Sequence, residues 1–195
     1  MKWIIYIVLP AFLVSCDLFN TRSPEGPDQT KSNYTPPDQP TILIQNMINS
    51  FTDKNTDNYR KSFESVGDLA NNTFTFVPSS AAQVAYQGIW DGWDINSEVQ
   101  YFKGIQTSVP DALPMTLTLS TEQTSFSVLG ADSVKYSSSY SISIPQINSD
   151  VLNYQGNVEF TMIRDSRQLW VIYFWKDNAI GDSPSWSDLK GSYAN

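Results

Sequence analysis

The sequence predicts an α+β domain with about three N-terminal helices packed on a curved, mostly antiparallel sheet of four to six strands. Three observations carry the prediction. Apolar residues recur at helical spacing between Pro40 and Val66 and again after Asp94, the period shortens to two from Met115 onward, and the final strand is apolar on both faces. The 195 residues, 41% of them hydrophobic, suffice for one ordinary domain. Along the chain the expected divisions are a leader over 1–15, a linker over 16–39 and the folded part over 40–195.

Met1-Lys2 is a short positive start, Trp3 to Val14 is almost continuously apolar, and Leu13-Val14-Ser15-Cys16 closes the run at the only cysteine. A permanent membrane span needs about 20 apolar residues, so the run is too short to stay in a bilayer. The four residues resemble the bacterial lipobox. That resemblance implies a diacylglyceryl thioether on Cys16, removal of the peptide before it, and acylation of the new amino group with a fatty chain such as palmitate. Two or three acyl chains, at about 0.8 kcal/mol per buried methylene, hold a protein on a membrane. The implied location is the bacterial cell envelope, outside the cytoplasm, with the membrane as first partner. From Asp17 to Gln39 the sizeable apolar residues are Leu18, Phe19 and Tyr34 among four prolines, which reads as a flexible linker spanning about 25 Å.

Pro40 suits a first helical turn, and Ile44, Met47, Ile48 and Phe51 share one helical face. Thr56 reads as the cap of a second helix presenting Tyr59, Phe63 and Val66. Thr73 to Val77 reads as a strand. Asp94 caps a third helix whose face is Ile95, Val99 and Phe102, with Glu98 in its first turn. Met115, Leu117 and Leu119, then Phe126 and Val128, alternate as half-buried strands. Val134, Tyr136, Tyr140, Ile142 and Ile144 hold the even positions against Lys135 and serines at the odd ones, and Tyr154, Val158, Phe160 and Met162 continue that parity, leaving Glu159 toward solvent. Asp165-Ser166-Arg167 is a turn. The last strand, Leu169 to Trp175, carries Trp170, Ile172 and Phe174 on one face and Val171, Tyr173 and Trp175 on the other, so it is central or covered. Trp186 and Leu189, in a short amphipathic turn after Pro184, are the expected cover.

This order, with the polar break at Asp53 to Thr56, Trp93-Asp94 opening the third helix and Trp170-Val171-Ile172 leading to Trp175-Lys176-Asp177, resembles the nuclear transport factor 2-like superfamily. The resemblance covers residues 40 to about 190. It implies the cone-shaped fold shared with ketosteroid isomerase and scytalone dehydratase, and makes a sheet-to-sheet homodimer one expected partner. The rival layouts are a lipocalin-like barrel and a cystatin-like sheet, and three helices before the sheet disfavour the barrel.

Twelve Lys and Arg against 20 Asp and Glu, with no basic run, exclude a nucleic-acid partner. Without histidine the chain cannot build Ser-His-Asp or Cys-His nucleophile pairs, and one cysteine makes no internal disulfide. No cofactor and no metal are expected. Asp53-x-Asn55-x-Asp57 with Glu64 copies a calcium-loop spacing, but Asn58 stands where glycine makes the turn, so a polar helix connection is the reading adopted. The sequons at Asn33 and Asn71 are incidental in a bacterial lipoprotein. Enzymes of the resembled superfamily set a carboxylate or histidine beside tyrosines inside the cone; here the inward positions of the two long strands hold none. Asp91, Asp94, Glu98 and Asp111 read as caps or solvated groups, and Asp91, Asp94 or Asp111 with a tyrosine donor is the base of an alternative, lyase or isomerase reading. The candidate ligand-binding residues are Phe102, Tyr136, Tyr140 and Tyr154, which would line a cavity for a small apolar molecule. Otherwise the domain presents its sheet to an envelope protein, and the exposed-aromatic candidates for such contact are Trp90, Trp93 and Trp186.

Overall fold

In the computed structural model, residues 33–67, 74–146 and 149–194 are described, and they fall in one compact unit. Cys16, the leader, the linker before residue 33 and the sequon at Asn71 lie outside them. The elements run α1 (Pro40–Thr52), α2 (Thr56–Lys61), β1 (Thr75–Val77), α3 (Ser80–Ala85), α4 (Ile95–Ser108), β2 (Thr116–Leu119), β3 (Phe126–Gly130), β4 (Ser133–Gln146), β5 (Ser149–Arg164), β6 (Trp170–Ala179) and α5 (Trp186–Tyr193). One mixed sheet holds the strands in the order β1-β6-β5-β4-β2, with β3 also on β4; every pairing is antiparallel except β1 with β6. The helices lie against this sheet, as the periodicities required.

The helical faces are close to those expected, and their departures have local causes. Leu43, Ile44, Met47 and Phe51 are buried while Ile48 is only half-buried. The face is turned because residues 33–39, expected in the linker, run along the domain instead. The Asn46 amide donates to Thr35 O at 2.6 Å and accepts from Thr35 N at 3.0 Å, and Trp170 N donates to Pro37 O at 2.8 Å. Helix α2 is capped by Asn55, one residue earlier than Thr56; it ends at Lys61, so Val66 lies past it and is 49% exposed. Val128, expected half-buried, is 81% exposed because β3 is a sheet edge. Helix α3 was not legible, since its only large apolar residue, Val84, faces water; Ser79 caps it by accepting from Ala82 N.

The departure that shapes the interior is in β6. Opposite Thr161 and Met162 the register skips Tyr173, a β-bulge that inserts one extra residue. Parity reverses there. Ile172 and Trp175, expected on opposite faces, both point inward, opposite Met162 and Phe160. The same reversal turns Asp177 inward, opposite Val158. On β4 and β5 the two-residue period holds as expected, with Val134, Tyr136, Tyr140, Ile142, Ile144, Tyr154, Val158, Phe160 and Met162 all buried.

Candidate functional site

The inside of the sheet is occupied by the chain's own C-terminal helix. Helix α5 lies between α3 and α4 on one side and β5 and β6 on the other. Ser185 caps it in a reciprocal box with Asp188. Trp186, Leu189 and Lys190 on its buried face are wholly inaccessible. The Trp186 ring meets Phe51 at 5.6 Å, Tyr140 at 5.2 Å and Trp175 at 4.5 Å, each edge-on. Trp186 and Trp93, considered for a contact surface, are therefore core residues, and Trp90 is half-buried against Phe76 and Trp93. Gly191 makes the fit possible, since a Cβ there would stand 2.5 Å from the Tyr86 ring.

Two carboxylates meet this helix from opposite walls. Asp177 Oδ1 accepts from the Tyr140 hydroxyl at 2.7 Å, and its Oδ2 accepts from Ser187 N at 2.7 Å and Ser187 Oγ at 2.5 Å. The Tyr140 oxygen in turn accepts from Trp186 N at 2.6 Å. The free N–H groups at the start of α5 thus find an acid and a phenol, and the acid is favoured by the positive end of the helix. Gly156 leaves room for that phenol, because a Cβ on it would stand 2.4 Å from the Tyr140 oxygen.

Glu98, expected to be solvated in the first turn of α4, is completely buried. It accepts from Tyr59 OH at 2.8 Å, from Trp93 Nε1 at 2.6 Å and from Lys190 Nζ, with which it forms a fully buried ion pair. Tyr59 spends its one proton on Glu98, so the 2.8 Å bond between Tyr59 and Tyr101 is donated by Tyr101, which accepts from Trp186 Nε1 at 3.1 Å. The Lys190 ammonium lies 3.3 Å from the Trp175 ring centroid and 3.6 Å from that of Phe76. Burial lowers this ammonium to about 8, against the opposing pull of Glu98 and Asp177. Burial, with the neighbouring carboxylates Glu98 and Asp177, holds the phenols of Tyr59, Tyr101 and Tyr140 well above their ordinary range, and burial raises Tyr136 to about 12.

These phenols give a pH test whose sign is fixed. Their folded values lie above the unfolded value of about 10, so their contribution to stability is complete below that pH and disappears as pH climbs through the folded values. On alkaline titration, tyrosinate absorbance from Tyr59, Tyr101, Tyr136 and Tyr140 is expected to appear together with loss of the near-ultraviolet circular dichroism. Ionisation of Tyr59, Tyr101, Tyr136 and Tyr140 near pH 10 in a folded chain would show the interior to be open.

The four residues expected to line a cavity divide accordingly. Phe102 stacks on Tyr59 at 4.2 Å and is inaccessible. Tyr136 donates to Ser120 O at 2.7 Å, and Tyr140 belongs to the α5 anchor. They meet protein where a ligand was expected. Tyr154 reaches the wall of an open groove of about 420 Å³, with Ser141, Ser143, Asn153, Gln155 and Ser183 around it. The acids of the lyase reading are elsewhere: Asp94 caps α4, where hydrogen bonds led by Ser97 N keep its carboxyl low, and Asp91 and Asp111 are exposed. In the calcium-like loop, Asp53 accepts from Asn33, Asn55 caps α2 and Glu64 pairs with Arg60, all local structural uses. Asp165 anchors the turn after β5; burial pushes its carboxyl up, but bonds from Arg167, Leu169 and Val66 outweigh this and hold it low.

Asp177, Glu98 and Lys190 are thus the polar groups that define the interior, and sequence reasoning missed them. Asp177 was hidden by the bulge. Glu98 had a sequence signal, since it lies one position from Val99 and four from Phe102 on the buried side of α4. Lys190 follows Trp186 by four, on the same helical face.

No family model of known proteins matches the chain, and no curated protein matches it. Solved structures do. A proposed dehydratase of the nuclear transport factor 2-like family from Streptomyces avermitilis superposes with a TM-score of 0.52 and 9% identity, over 72% of this chain and 92% of that one. A proposed aromatic ring hydroxylase from Novosphingobium aromaticivorans gives 0.51 and 12%, over 75% and 91%. A conserved protein from Planctomyces limnophilus gives 0.51 and 7%, over 71% and 91%. The chain has the nuclear transport factor 2-like cone fold, with five helices and six strands among the described residues.

Proposed function

We propose that this protein is a lipid-anchored binding or scaffold domain of the bacterial envelope, held at the membrane through Cys16 and facing away from the cytoplasm, with no catalytic role. One observation carries the non-catalytic part: both interior carboxylates and the phenols beside them are committed to α5, whose Trp186 is wholly buried among Phe51, Tyr140 and Trp175. An acid–base pair works only where a substrate reaches it. The lipobox-like residues at Cys16 support the anchor, and the net charge of −8 argues against docking of the domain itself on anionic lipid.

The second reading is a small lyase or isomerase. It draws on the Tyr140 phenol 2.7 Å from Asp177, the kind of pair that proton transfer needs, although the acids first considered for it do not reach a buried tyrosine. That reading requires α5 to leave the cone.

The test is extraction of the full chain from its own host in mild detergent, followed by native mass spectrometry. The expected result is a diacylglyceryl mass on Cys16, lost with the membrane fractionation in Cys16→Ser, and a stoichiometric partner, second copy or small bound molecule. An unmodified Cys16 overturns the anchor. A bare chain at micromolar concentration overturns the binding reading.

A further inference from the structure

Lys190 poses a question that folding alone does not answer. A buried ion pair is seldom better for stability than well-packed apolar residues of the same volume, so methionine or leucine would complete the core at least as well. Yet the surroundings of Lys190 are those of a cation receptor: the faces of Trp175 and Phe76 within 3.6 Å, Trp93 and Tyr101 within 5.7 Å, and the Glu98 carboxylate, itself oriented by Tyr59 and Trp93. Beside it, the Trp186 indole fills a slot between Phe51, Tyr140 and Trp175 and donates its ring N–H to Tyr101.

The occupant is a short, separate element. Helix α5 has eight residues, too few to be stable on its own, and follows an exposed loop with Ile180 at 42% exposure and Gly181 at φ +56°. The ring N–H of wholly buried Trp175, which faces the same interior, is one of several buried donors with no acceptor among the described residues.

We propose that the interior of the cone is a recognition site for a primary ammonium carried beside an aromatic ring, and that α5 occupies it as an internal ligand, with Lys190 and Trp186 standing for the two groups. A free ligand of this class competes with α5. Because α5 is tethered, its effective concentration is in the millimolar range, so a competitor must bind the open cone tightly or be abundant. The inference rests on the binding reading above in one respect, that Glu98 and Asp177 hold a ligand and do not catalyse.

The experiment uses the full chain in detergent and two probes. In Lys190→Ala, n-propylammonium chloride is expected to raise the melting temperature by several degrees at constant ionic strength, whereas 1-propanol, its neutral counterpart, leaves it unchanged; the wild type responds to neither. Equal response to both, or to neither, overturns the cage. If Lys190→Ala does not fold, the wild type decides: millimolar tryptamine is expected to speed hydrogen exchange of the amides of residues 186–193 by about tenfold or more, with those of β4 unchanged. Unchanged exchange overturns the displacement. These outcomes leave Cys16 and the native mass untouched, so failure here and failure of the binding reading are told apart.

Discussion

Trp186→Ala is expected to cost about 3–5 kcal/mol of unfolding free energy, the range for deleting a large buried aromatic side chain. The indole has no exposed surface and touches three rings, and its N–H is the start of the hydrogen-bond chain through Tyr101 and Tyr59 to Glu98. Its removal leaves a cavity bounded by β4, β6 and α1 that no neighbouring side chain is free to fill. Domains of this size keep only about 5–15 kcal/mol in all, so the loss corresponds to about 10–15 °C of melting temperature. Urea unfolding of the full chain in detergent measures it. A loss below about 1 kcal/mol would mean that α5 is not part of the stable core.

The second large effect is at Glu98. Glu98→Ala is expected to cost about 3–5 kcal/mol, because it leaves the Lys190 ammonium buried without its partner and also strips Tyr59 and Trp93 of their acceptor. The double variant Glu98→Gln with Lys190→Met should recover most of this, since it removes both charges while the amide keeps an acceptor for Tyr59. The coupling is read from a double-mutant cycle of unfolding free energies. Additive single effects would show that the two charges do not interact in the folded chain. A Glu98→Ala variant of wild-type stability would place the carboxylate in water.

How much of this was legible follows from where each signal comes from. The two-residue period of β4 and β5 survived translation into structure because one buried face fixes the register of every residue along a strand. The same rule failed in β6 at a single place. One inserted residue at Tyr173 reversed the parity, put Trp175 and Asp177 inside together with Ile172, and so supplied an inward carboxylate from a strand other than the two long ones where none was found. No residue type marks that bulge: Tyr-Phe-Trp reads as regular strand. Glu98 was misplaced for a different reason. An acid in the first turn of a helix is favoured there by the helix dipole whether or not it is buried, so position alone does not separate a solvated group from a core ligand.

Residue chemistry and periodicity by themselves determined the class of fold, the helices α1, α2 and α4 and the strands that follow them, the inward tyrosines, and the absence of histidine-dependent chemistry. Each of these depends on composition or on neighbours within a few residues. Only the tertiary structure decided what fills the cone. Asp177 and Tyr140 meet α5 across separations of 10 and 46 residues, and Glu98 meets Lys190 across 92. Contacts at that range are set by the packing of whole elements and by one bulge. For that reason the sequence shows aromatic residues suited to an interior site, while the structure shows that the chain's own tryptophan and lysine occupy it.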